Sequence, residues 1–147
     1  MIKRLLYTIF LGCLILLSCT IKDTSISTNP KGVGSITELK LEPINDSLMQ
    51  IGQTLFKTKC SNCHTMEYKN SGPDVSDLLA RRKPEWIMNF LLNKEEMLQR
   101  DSLAIYTRNK FKQGCESTVS SENEAFALLE YFRIYQIWLH EFNVLYK

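Results

Sequence analysis

Three observations in this 147-residue sequence predict an all-α domain. Apolar residues after Asn45 recur every three or four positions, and no stretch alternates apolar and polar residues as a half-buried strand would. The interruptions fall at Gly72-Pro73, which breaks the chain, and at Pro84, which suits the first turn of a helix. A single domain of ~100 residues is small for an independent core, so a group buried at its centre would help to hold it.

The N-terminal elements are not part of that domain. The chain opens MIKRLLYTIFLGCLILLSC: Lys3 and Arg4, then a 13-residue, mostly apolar run from Leu5 to Leu17. That run is shorter than the ~20 residues needed to span a bilayer. A basic start, a short apolar core and a small residue at the end read as an export leader over residues 1–18. Leu16-Leu17-Ser18-Cys19 resembles the lipobox of bacterial lipoproteins, which implies cleavage before Cys19 and acylation of that residue. Residues 19–44 are rich in Ser, Thr, Gly, Pro and Lys. They are expected to form a flexible, lipidated tether, with an ordered arm packed on the domain as the alternative.

Helices follow in order. Asn45 or Asp46 caps the first, which carries Leu48, Ile51, Leu55 and Phe56 on one face and ends near Lys59. A second begins at Pro84 and includes Trp86, Ile87, Phe90 and Leu91. A short third covers about Asp101 to Phe111, with Leu103 and Tyr106 on one side. The last begins near Ser121, where Ser121-Glu122-Asn123-Glu124 has the form of a capping box, and runs to about Phe142. The domain thus spans residues 45–132. Residues 133–147, FRIYQIWLHEFNVLYK without its first residue, extend the final helix with apolar and aromatic side chains. They are expected to fold back on the domain, to meet a partner, or to touch a membrane.

Charge narrows the function. Of 18 Lys and Arg, two leave with the leader, so the remaining 16 balance 16 Asp and Glu. Nucleic-acid binding leans on a basic surplus, and none is left. Sulfur narrows it further. Cys13 leaves with the leader and Cys19 takes the lipid. Cys115 then has no obvious disulfide partner, so this is not a disulfide scaffold.

The chemistry sits in KTKCSNCHTM, residues 57–66, where Cys60, Cys63 and His64 form Cys-x-x-Cys-His. A structural zinc site needs four ligands, and only Cys115 and His140 are left to complete one, at no familiar spacing. A redox dithiol would be expected beside a βαβ unit, which is missing. Cys-x-x-Cys-His is the attachment signature of c-type haem, with two thiols for the vinyl groups and an imidazole for the iron.

Residues 49–132 resemble bacterial class I monohaem cytochromes c. IGQTLFKTKCSNCHTM is similar to their first helix and haem motif, SGPDVSDLLARRKPEWIMNFLLNKEEM to the Gly-Pro loop and middle helix, and SENEAFALLEYF to the last helix. The resemblance implies an all-α domain wrapped around one covalent haem c, with His64 as the proximal ligand and the Pro73 carbonyl steadying its ring. It implies that Gly52 and Phe56 lie near Phe126 and Tyr131 where the first and last helices cross, and that Gly52, Phe56 and Trp86 pack at the haem.

The sequence departs from the family at the sixth ligand. The stretch expected to hold a ligating Met, RNKFKQGCESTVSSENE, has Cys115 and no Met. Cys115 is the first candidate, which would give a lower-potential His/thiolate haem; Met97, His140 or an open site are the others. The resulting expectation is an exported, membrane-tethered electron carrier with redox proteins as partners, no catalytic residues and no small-molecule substrate. Lys57, Lys59 and Lys69 are offered as a basic docking rim. The rivals are a haem subunit of a larger oxidoreductase and a haem-based sensor.

Overall fold

A computed structural model of the chain describes residues 25–66, 68, 70–111 and 119–145. Cys19, Lys69 and Cys115 lie outside the described residues. Among the described residues six α-helices follow in order: α1 Asp46–Leu55, α2 Leu78–Arg81, α3 Pro84–Leu92, α4 Lys94–Arg100, α5 Ser102–Lys110 and α6 Glu122–Leu145. A single π-helical turn, Phe56–Cys60, continues α1. Among the described residues the only strand-like pairing is one isolated parallel bridge, Ser27 with Asp101. The chain is all-α, as its spacing predicts.

The frame is the crossing of α1 and α6. Asn45 caps α1, its Oδ1 accepting the Leu48 N–H at 3.0 Å, and its own N–H donates to Glu130 of α6 at 3.0 Å. Gly52 lies where the helices touch. A Cβ there would collide with the carbonyl oxygen of Ala127, so only glycine lets the two backbones come this close. One turn further on, the Phe56 ring packs on Tyr131 at 5.6 Å and edge-on to Phe132 at 6.0 Å. Burial of this cluster keeps the Tyr131 phenol neutral to higher pH than usual. Gly52 therefore serves the helix crossing and does not line the central cavity.

Ser121 starts α6, its Oγ accepting the Glu124 N–H at 3.2 Å. Glu124 does not close the capping box on Ser121 itself; its carboxylate takes the Ser120 N–H at 2.7 Å and the Lys59 ammonium at 2.9 Å. The first half of α6 is core, with Ala125, Ala127, Leu128 and Leu129 fully buried. Tyr135 is tied to the domain, donating its hydroxyl to the Met66 carbonyl at 3.1 Å. Beyond it the helix emerges: Ile137, Trp138, Phe142 and Val144 are 44 to 65% exposed, and Tyr135, Trp138 and Phe142 stack on one another along the helix. Up to Leu145 the C-terminal segment thus continues the same helix, and its outer turns are exposed.

Residues 25–44 depart most from expectation. They are ordered, with residues 27–36 laid against α3 and α4, so that over 25–44 an ordered arm replaces the flexible tether expected over 19–44. Asn89 of α3, 2% exposed, spends its whole amide on the arm. Its Nδ2 donates to the Lys31 and Ile36 carbonyls, both at 2.9 Å, and its Oδ1 accepts the Ile36 N–H at 3.0 Å. Gly34 permits this, since a side chain there would strike Asn89 Oδ1. Gly32 adopts φ +77°, a conformation open to glycine, and presses on Met97 and Trp86. Lys31 pairs with Glu85 at 3.3 Å. Burial raises the Glu85 carboxyl pKa, but its backbone hydrogen bond and Lys31 outweigh that and leave it below the usual value. At the arm's start the Ser27 N–H donates to the Arg100 carbonyl at 2.6 Å, and Ser27 accepts from the Ser102 N–H at 2.9 Å. Composition failed here because the arm's few apolar residues, Val33, Ile36 and Leu39, pack on the core only with the help of hydrogen bonds supplied by the domain's backbone and by Asn89.

Two helices lacked an apolar signature of their own. α2 is one turn long, and α4 is mostly charged; its first turn carries Glu95 and Glu96, its last Arg100. Met97 was given loop freedom by the sequence but sits inside α4 and is fully buried.

Candidate functional site

The π-helical turn sets the site. The Ser61 N–H reaches back five residues to the Phe56 carbonyl at 2.9 Å, and the Cys63 and His64 N–H groups both bond to the Cys60 carbonyl, at 3.1 and 2.9 Å. Single π turns within helices occur often at functional sites, because the extra residue re-aims the side chains that follow. Here the backbone folds so that Cys60, Cys63 and His64 all line one cavity. Neither cysteine is in a disulfide.

The loop after the motif holds the imidazole. His64 Nδ1 lies 2.8 Å from the Pro73 carbonyl, so Nδ1 carries the proton and Nε2 is left with its lone pair for a metal. Gly72 underlies this: a Cβ there would come within 2.6 Å of His64 Cε1 and 2.8 Å of Nδ1. The loop is pinned at both ends, by Gly72 N–H to the Cys63 carbonyl at 2.8 Å and Val75 N–H to the Thr65 carbonyl at 3.0 Å. Gly72-Pro73 is thus more than a turn. It is the clamp on the proximal ring.

The cavity has a volume of about 570 Å³. Phe56, Val75, Leu78, Ile87, Leu91 and Phe132 give it an apolar lining, and Pro73 and Trp86 face it as well. Such a volume and lining suit a cofactor-sized ligand. Trp86 stacks on Phe90 with ring centroids 5.2 Å apart and donates its indole N–H to Asp101 at 3.1 Å. Asp101 in turn caps α5 through the Ala104 N–H at 2.8 Å. Cations ring the mouth: Arg81, Arg82, Lys94, Arg108 and Lys110 are all on the wall. Of these, Arg81 is bound to Asp77 and to the Asp74 carbonyl, and the Arg82 guanidinium lies 5.3 Å from the centre of the Trp86 ring.

The remaining sequence candidates are placed as follows. The Met97 sulfur accepts the Val33 N–H at 3.0 Å and does not line the cavity, so it is committed to the arm and not to an iron. Met49, Met66 and Met88 do not line it either. His140 is exposed on the outer part of α6, away from the lining residues. Lys59 is drawn into an ion pair with Glu124 at 2.9 Å, which removes it from a free basic rim, while Lys57 is exposed. Cys115 lies in the undescribed stretch between Phe111 and Val119, both of which line the cavity. Among the described residues, no three His, Cys, Asp or Glu side chains converge as a metal site of their own.

Asn89, Gly32 and Gly34 were not singled out from sequence, Gly72 was read only as a chain break and Asp101 only as the start of a helix. The paired glycines in NPKGVGS were the one available signal that a backbone passes close to something there.

A helical domain whose two adjacent thiols and one oriented imidazole face a single apolar cavity defines a covalent haem protein of the all-α class. The comparisons with known proteins agree. The Cytochrome c family matches residues 49–133. Among solved structures, a cytochrome c from Rhodothermus marinus superposes with a TM-score of 0.67 at 32% identity, over 71% of this chain and 90% of that one. An engineered cytochrome c from the same organism gives a TM-score of 0.69 at 31% identity, over 74% and 99%. That engineered protein bound to a carbene intermediate gives 0.67 at 32%, over the same shares. No curated protein matches at a significant level. The chain belongs to the cytochrome c family, whose members are electron-transfer haem proteins, and it carries one covalent haem c.

The residues present fit that group. Cys60 and Cys63 would hold it as thioethers, His64 would offer Nε2 to the iron, the apolar wall would suit the porphyrin, and Arg82 and Lys94 on the wall would suit its carboxylates. When bound, the haem supplies a reversible one-electron couple. The chain's own part is to orient the imidazole through Pro73 and Gly72, to exclude water with Phe56, Ile87, Leu91 and Phe132, and to keep the lining rigid so that little reorganises between oxidation states.

Proposed function

We propose that the protein is an exported, lipid-anchored monohaem cytochrome that passes single electrons between redox proteins. The observation that carries it is the convergence of Cys60, Cys63 and the Pro73-oriented His64 on one apolar cavity of about 570 Å³. Export is supported by the leader over residues 1–18 and by a family whose members are typically exported. The Leu-Leu-Ser-Cys sequence supports a lipid on Cys19. Among the described residues no helix is long and apolar enough to cross a membrane, so attachment falls to the N-terminus.

Cys115 is the proposed sixth ligand. The placement of Met97 supports this, because its sulfur is already hydrogen-bonded inside the arm. Thiolate ligation lowers a haem potential relative to His/Met. The test is the oxidised protein's optical and EPR spectra beside those of Cys115→Ala. A thiolate complex shows low-spin signals that the variant loses. The weak red band of a methionine–iron bond in the parent protein would rule the thiolate out, and a preparation without covalent haem would end the electron-transfer reading.

A second reading, haem subunit of a larger oxidoreductase, is favoured by the exposed aromatic end of α6, where Trp138 is 52% exposed. Co-purification of other redox subunits with the native protein, lost on Trp138→Glu, distinguishes it from the free carrier.

A further inference from the structure

The order of the arm changes what an anchor at Cys19 would permit. Had residues 19–44 been a free tether, the haem domain would swing through ~90 Å of extended chain. The arm is instead tied to the domain from Ser27 onward, by the Ser27 bonds to Arg100 and Ser102 and by the Asn89 clasp on residues 31–36. Only eight residues, 20 to 27, lead from Cys19 to the first tie at Ser27. Fully extended they reach at most ~28 Å, about the width of a ~100-residue domain with a radius of gyration of ~13 Å.

The exit point of this leash has a suitable surface around it. Ser27 pairs beside Asp101, the residue that caps α5. The residue before the bridge, Ile26, is 56% exposed, and on α5 Leu103 and Tyr106 are 38% and 63% exposed. Arg108 and Lys110 are exposed in the last turn of the same helix. Leu103 and Tyr106, three positions apart, thus share a face beside two cations, and cations near a membrane are drawn to anionic headgroups. Tyr106, Arg108 and Lys110 also stand on the wall of the haem cavity, so this helix lies between the leash exit and the cofactor.

Building on the lipid-anchor reading above, we propose that α5, together with Ile26, rests on the lipid headgroups of the anchoring membrane. The arm acts as a short leash that holds the domain in that pose. The protein is then a relay among redox partners seated in or on the same membrane, and not a shuttle ranging away from it.

The test uses full-length, lipidated holoprotein in vesicles of phosphatidylcholine and phosphatidylglycerol, with a headgroup-labelled lipid whose emission the haem quenches. A linker of about twenty Gly and Ser residues inserted between Thr24 and Ser25 adds an r.m.s. length of about 25 Å without touching the fold. The expected result is strong quenching by the parent protein and a fall of about twofold or more with the linker. Asn89→Ala, which frees the arm, moves in the same direction. Hydrogen exchange on the same vesicles should slow at α5 amides, and Tyr106→Glu should abolish that slowing. Equal quenching with and without the linker, or slowing confined to another face, overturns the proposal while leaving the anchored cytochrome intact. A mature Cys19 found without acyl groups by mass spectrometry overturns the anchor itself.

Discussion

The loop from Cys63 to Val75 and the arm from Ser27 to Ile36 are both irregular backbone strapped onto helices, and both are built around glycines that admit close approach. They differ in range. The proximal loop is mostly local: His64 and Pro73 are nine residues apart, and the bonds that hold the ring, Gly72 and Val75 fall within residues 60–75. Arg81 on the Asp74 carbonyl and Tyr135 on the Met66 carbonyl are added from outside. The arm is remote: Asn89 and Met97 grip residues 53 to 64 positions earlier. A local strap leaves its mark in a short motif. A remote one leaves none, because its partners are scattered and each looks ordinary in isolation.

Four substitutions probe that contrast. The largest effect is expected at Asn89. Asn89→Ala removes three hydrogen bonds and leaves the Lys31 and Ile36 backbone groups partly unsatisfied, a loss of about 3 kcal/mol. Guanidinium unfolding measures the loss, and exchange of the Ile36 amide should accelerate while the haem spectrum stays put. A stable variant with a protected Ile36 amide would show that the arm holds itself.

Gly72→Ala is the matching test in the proximal loop. The added Cβ forces either the imidazole or the loop to move, at a cost of about 2 kcal/mol. Here the ferric spectrum should shift along with stability, since the displaced ring is the iron's ligand. An unshifted spectrum would mean that the loop yields instead of the ring.

Met97→Leu sharpens the distinction between the two regions. A near-isosteric exchange that loses one weak N–H···S bond should cost less than about 1.5 kcal/mol. The reduced and oxidised spectra should match the parent protein's, and a lost axial ligand would contradict the position of Met97 in the arm.

The smallest effect concerns pH. The hydrogen bond from Lys59, followed by that from the Ser120 amide, holds the Glu124 carboxyl below its ordinary value of 4.5. A carboxylate with a depressed folded pKa contributes stability that is present above its unfolded value and is lost as pH falls through the folded one. Glu124→Gln should therefore flatten part of the acid limb of the stability profile below about pH 5, with little change at neutral pH. An unchanged acid limb would show that this exposed pair adds nothing, as many surface pairs do.

Much of the fold was legible. Helical spacing located α1, α3, α5 and α6, Pro84 opens α3 as expected, and Asn45 and Ser121 cap the helices they precede. α4 was missed because its only buried apolar residue, Met97, sits among charges, and α2 because four residues carry no periodicity. In the candidate site Cys60, Cys63, His64, Pro73, Phe56 and Trp86, all named from sequence, line one cavity, whereas Gly52 lies at the helix crossing. Lys59 looked like a surface charge because its partner, Glu124, is 65 residues away.

From sequence alone the chemistry of the centre was determined: two thiols and an imidazole at a spacing that only local geometry has to satisfy, in a chain whose helices announce themselves by period. What tertiary structure decided was the fate of everything held at long range. It made an ordered arm of a segment with a linker's composition, took Met97 away from the iron, and turned the last apolar turns of α6 outward. The physical reason is the same in each case. Hydrogen bonds and burial supplied by residues dozens of positions away outweigh the local preference of a stretch, and a local pattern carries no record of them.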